Sequence, residues 1–110
     1  MKNESMKVED VKKDEKWKVV SEPKPVERTS KVGKKYVNYV TVIEKDGKQK
    51  DLWLFQFDIK KLERATKGKI VGAMITLKTE EAMKAGKPIT NEAGEPYMNV
   101  RLDGVVTTLQ

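Results

Sequence analysis

Cysteine and histidine are both absent from this chain of 110 residues. Without thiols there is no disulfide staple, no redox centre and no thiolate metal site. Without imidazole, the commonest metal ligand and the usual near-neutral proton shuttle are missing as well. A carboxylate-only Mg²⁺ site needs convergent acids, and no paired-carboxylate motif stands out. The only serines are Ser5, Ser21 and Ser30, and no phosphate-loop glycine pattern or catalytic signature is present. Enzymatic activity is therefore not expected, and no cofactor or metal is implied. No run approaches the roughly 20 apolar residues of a membrane-spanning helix. The N-terminus mixes both charges and lacks an apolar segment. The expectation is a soluble, cytoplasmic protein with no membrane partner.

What the chain has in quantity is charge. Charged residues make up 36% of it, with 23 Lys and Arg against 17 Asp and Glu, a formal net charge of +6. That balance suits a polyanionic partner. It equally suits a Lys/Glu-rich surface built for solubility or heat resistance. Hydrophobic residues are 37% of the sequence, enough for one modest core. The length fits a single domain.

Residues 1–15 are polar, of mixed charge and free of aromatics, which predicts a flexible charged arm. The folded domain is expected over 16–110. WKVV, residues 17–20, is a strand candidate, and Pro23 and Pro25 then allow only a bend or an edge strand resuming at Val26. Residues 28–35 form a basic loop with Arg28, Lys31, Lys34 and Lys35 around Gly33. Residues 36–43 are nearly all β-branched or aromatic. With 51–57 they read as a hairpin turning at Asp46-Gly47. Asp58 is placed to cap a short helix with apolar Ile59, Leu62 and Ala65, ended by Gly68. Residues 70–79 and 97–102 are further strands, with Gly72 marking a bulge or bend. Residues 80–85 suggest a helical turn, 86–96 a long connection or hairpin tip, and VVTTL a short terminal strand.

That order is strand, two-stranded hairpin, helix, strand, strand. It resembles the OB-fold, a five-stranded Greek-key barrel with a short helix between strands 3 and 4. Roughly residues 16–103 are covered, in layout only. The resemblance implies a mainly β barrel like those of single-stranded nucleic-acid-binding proteins. It implies a ligand face across 36–57, helped by the 28–35 and 80–96 loops. The acidic tail of the bacterial members has no counterpart in VVTTLQ, so recruitment of partners through one is not expected.

Strand alternation then sorts the side chains. In 51–57, Leu52 and Leu54 share one face, while Trp53, Phe55 and Phe57 share the other. In 97–102, Met98, Val100 and Leu102 oppose Tyr97, Asn99 and Arg101. Val71, Ala73, Ile75 and Leu77 form a core face in 70–77. The expected nucleic-acid contacts are Trp53, Phe55, Tyr36, Tyr39, Tyr97, Asn99 and Arg101, joined by Arg28, Lys31, Lys34, Lys35, Lys84 and Lys87. Rings stack on bases and cations neutralise phosphates. Trp53 and Phe55 are equally open to a core role, with Phe57 buried beside the helix. The leading expectation is non-catalytic binding of single-stranded DNA or RNA. The alternative is a β-barrel interaction or assembly module, for which a homodimer is a natural form.

Overall fold

The computed structural model describes residues 3–30, 32–84 and 86–106. Nine strands, a 3₁₀ turn and one helix follow in chain order. They are β1 (Glu4–Ser5), the turn at Val8–Asp10, β2 (Lys16–Val19), β3 (Lys24–Thr29), β4 (Lys35–Lys45) and β5 (Lys48–Phe55). Then come α1 (Gln56–Thr66), β6 (Met74–Glu81), β7 (Met83–Lys84), β8 (Lys87–Pro88) and β9 (Met98–Val106).

The β4–β5 hairpin forms as the sequence predicts. Asp46 (φ 51°) and Gly47 (φ 80°) both adopt left-handed backbone. Two such residues make the tight turn that matches strand twist. Strands β2 and β3 run successively along β4, with Pro25 on an edge strand. Ser21 holds the bend between them. Its hydroxyl accepts the Val42 N–H at 2.8 Å, and its carbonyl accepts the Thr41 hydroxyl at 2.6 Å.

Pairing gives one seven-stranded sheet in the order β1-β5-β4-β2-β6-β9, with β3 on β4, and a separate β7–β8 hairpin. The sheet is open. Among the described residues β9 pairs only with β6, and the edge of β5 is taken in parallel by β1 (Glu4↔Lys50, Ser5↔Asp51). The expected five-stranded Greek-key barrel is therefore not formed, and the likeness to OB-fold single-strand binders does not hold. Element order predicts neighbours along a sheet. It does not predict that its ends will pair, and here an N-terminal strand of two residues occupies the edge that closure needs.

The core lies between one face of the sheet and α1. It contains Met6, Trp17, Val19, Ile43, Leu52, Leu54, Ile59, Leu62, Ile70, Ile75, Leu77 and Leu102, with Tyr39 and Val100 half-buried against it. Leu52, Leu54, Ile43 and Tyr39 thus face inward together, and Tyr36, Asn38, Val40, Trp53 and Phe55 share the opposite face. The segment read as an arm is laid on this framework: Met6 is buried and its N–H donates to the Asp51 carbonyl at 2.8 Å.

Several local expectations are corrected. The helix begins at Gln56, so Asp58 stands in its first turn rather than before it. Phe57 consequently points to solvent at 76% exposure instead of being buried. Residues 80–84 do not form a helical turn: Glu80 and Glu81 end β6, and Met83–Lys84 form β7. Gly72 (φ 94°) belongs to a turn that precedes β6, so Ile70 rather than Val71 reaches the core. The sheet irregularity falls instead between Thr76 and Leu77. NEAGEP is a hairpin tip, where the Asn91 side chain accepts the N–H groups of Ala93 and Glu95, each at 2.9 Å. Ala85 and residues 107–110, where a last helical residue and the end of a terminal strand were expected, lie outside the described residues.

Candidate functional site

The outer face of β4 and β5 forms the floor of a groove of about 530 Å³. Alternation dictates its composition. In β4 the partners of Phe55 and Trp53 are Asn38 and Val40, and Tyr36 lies one step further along the same face. Arg28, directly opposite Tyr36 on β3, reaches across from the neighbouring strand. On the far side stand Met98, Asn99 and Val100 of β9, and Met6 to Glu9 close one end.

Main-chain groups also face this groove. The Asp51 carbonyl turns outward to Met6, so the two-residue repeat of a strand turns the N–H and C=O of Trp53 the same way. The Tyr97 carbonyl accepts the Ala82 N–H on the β6 side. By the same repeat, the main-chain groups of Met98 and Val100 point away from β6. Strand β9 lies against β5, α1 and the 3₁₀ turn, but among the described residues it has no ladder partner on that side.

The rings of the groove are already in contact with cations. The Arg28 guanidinium sits 5.2 Å from the centre of Trp53, and that of Arg101 sits 5.0 Å from the centre of Phe55. Arg101 is held there by both oxygens of Asp58, at 2.9 and 3.0 Å, and by Glu80 at 3.4 Å. Hydrogen bonding to Asp58 raises the Arg101 pKa above its ordinary value, against the opposing effect of burial. Among the described residues Arg28 has no acidic partner.

The structure therefore brings together Arg28, Tyr36, Trp53, Phe55 and Asn99. It turns Tyr39 toward the core and leaves Tyr97 half-exposed outside the groove. Lys34 lies near the β3–β4 tip, Lys35 pairs with Glu27 at 3.5 Å, and Lys87 stands on β8. Lys31 and the Lys84 side chain lie outside the described residues. Asn38, Met98 and the 6–9 segment join the lining without having been expected there. Asn38 was legible as the cross-face neighbour of Trp53 and Phe55 once the β4 register was fixed. Nothing in residues 1–15 signalled that they would return to β5.

These placements overturn base stacking in an OB barrel as the mechanism, and with it both the single-strand-binding reading and the barrel-assembly alternative. No barrel closes, and the aromatic side chains do not form one free platform. Tyr39 faces the other way, while Trp53 and Phe55 each have a guanidinium over the ring. Among the described residues no group of three or more acidic side chains is placed to share a metal ion. No described helix is long and apolar enough to cross a membrane. Neither a protein-family model, nor a curated protein, nor a solved structure matches the chain.

Proposed function

We propose that this domain is a non-catalytic binding module that takes an extended, acidic segment of another protein into the groove between β5 and β9. The observation that carries this reading is the set of main-chain groups at Trp53, Met98 and Val100 that have no ladder partner among the described residues, facing a groove with Arg28 at its side. An extended peptide satisfies such groups as an added strand would, and pockets beside the edge then select its side chains. Arg28 supplies a guanidinium for a carboxylate, and the amides of Asn38 and Asn99 supply further polar contacts. The net charge of +6 favours an acidic partner. A cytoplasmic location belongs to the same proposal, its support being a fold held by packing without cysteine.

The test uses a short, end-blocked peptide alternating Glu with Thr, N-methylated at alternate residues in one phase or in the other. A strand seated between two edges turns the N–H groups of one phase to β5 and those of the other to β9. Binding measured by calorimetry is therefore expected to fall at least about tenfold on methylation in either phase, the loss of one to two hydrogen bonds. Binding of either methylated peptide as tight as that of the parent, or no binding of the parent peptide, would overturn the proposal.

A further inference from the structure

Away from the groove, the solvent-facing side of α1 carries a concentration of cations that the groove does not use. We infer that this side is a docking surface for the phosphate backbone of nucleic acid, contacted through charge alone. Lys60, Lys61 and Arg64 are exposed along the helix, and Lys67 and Lys69 are exposed just beyond it. Glu63 is the one acid among them, and Glu63 and Glu22 line a shallow depression together with Lys60, Arg64, Gly68 and Ile70. Among the described residues none of the five cations forms an ion pair. Lys61 gives its ammonium to the Asp103 carbonyl at 2.7 Å, which leaves Lys60, Arg64, Lys67 and Lys69 for a ligand.

Helical spacing keeps these charges in a row. Lys60 and Arg64 are one turn apart, about 6 Å along the axis at 1.5 Å per residue. Favourable placement near the helix C-terminus accounts for Lys67 and Lys69, but not for Lys60 in the first half. A polyanion gains from such a row by releasing condensed counterions. A bilayer surface is served less well. An interfacial helix buries an apolar face in the lipid, whereas Ile59 and Leu62 of α1 are committed to the core and Phe57 is the one large apolar side chain that α1 itself exposes. Because bases play no part, this contact is independent of the rings in the groove and does not separate duplex from single strand.

The experiment titrates the protein with a duplex and a single-stranded oligonucleotide of equal length over a series of salt concentrations. Four phosphate contacts predict a log–log slope of about −3.6 for the duplex and about −2.8 for the single strand. The Lys60→Glu/Arg64→Glu protein should lose about two from the slope and at least tenfold in affinity at low salt. Phe57→Ala should bind as wild type, and Trp53 emission should stay constant throughout. Circular dichroism confirms that the variants are folded. The inference is overturned if the reversed-charge protein keeps the wild-type slope, or if neither oligonucleotide binds at low salt. It is equally overturned if Phe57→Ala abolishes binding, or if phosphatidylserine vesicles bind while the oligonucleotides do not. The groove proposal is untouched by any of these results, since its own test contains no nucleic acid.

Discussion

Arg101 of β9 grips Asp58 of α1 through two hydrogen bonds, Nε to Oδ2 at 2.9 Å and Nη2 to Oδ1 at 3.0 Å. The Asp58 side chain is 3% exposed and that of Arg101 is 23%. The same Asp58 Oδ2 accepts the Phe55 N–H at 3.3 Å. One carboxylate thus joins the end of β5, the start of α1 and strand β9. Breaking a fully buried pair costs about 3–5 kcal/mol. Arg101 keeps some contact with water, so Arg101→Met should cost less, about 2–3 kcal/mol, measured by urea unfolding. A double-mutant cycle with Asp58→Asn should return a coupling above about 1 kcal/mol. Additive losses would show that the pair does not join the elements.

Arg28 makes a lighter contact. The Arg28 guanidinium stays exposed over the half-buried Trp53 ring, and a solvated contact of this kind is worth about 0.5–1 kcal/mol. Arg28→Ala should therefore leave stability within about 1 kcal/mol of wild type. It should change Trp53 emission and weaken the acidic peptide about tenfold. Arg28→Lys should recover only part of that affinity, because an ammonium cannot meet a carboxylate in the same two-pronged way. Unaltered peptide affinity in Arg28→Ala would remove Arg28 from the site.

Acid should loosen the segment before β2. The Lys7 N–H holds the Asp10 carboxyl below its ordinary value of 3.8, with Lys50 adding to the effect. The Lys45 ammonium similarly holds Glu15 below 4.5. A carboxyl whose folded pKa is depressed contributes its full stability above the ordinary value and loses it as pH falls through the folded one. The protection factors of the amides of residues 4–15, which remove the intrinsic pH dependence of exchange, should therefore be constant down to about pH 4.5 and should fall below pH 3.8. Substituting Asp10→Asn and Glu15→Gln together should flatten the profile. An unchanged profile in that protein would assign the acid response to other groups.

Much of the sheet was legible in the residues themselves. YVNYVTVI and DLWLF are β-rich runs about an Asp-Gly pair, and local chemistry sets both the strands and their turn. Leu52 and Leu54 against Trp53 and Phe55 followed from alternation, because burying one set exposes the other. Closure was not legible. It depends on whether β5 meets β9 or β1, a competition between segments distant in sequence that no local pattern encodes. The helix start was misread by three residues for a related reason. Asp58 looks like a cap that precedes a helix, but its carboxylate turns back to the Phe55 N–H from within the first turn, which rotates Phe57 outward. The site was legible in part. Arg28, Tyr36, Trp53 and Phe55 do converge, but the Asp58 that claims Arg101 was read only as a helix cap.

The most direct test of the account is an NMR titration of the backbone amides with the unmethylated Glu/Thr peptide. A peptide seated between β5 and β9 should shift the amides of Trp53, Met98 and Val100 together and protect them from exchange as it saturates. The amides of α1 should not move. Saturable binding that leaves those three amides unchanged and unprotected would contradict it.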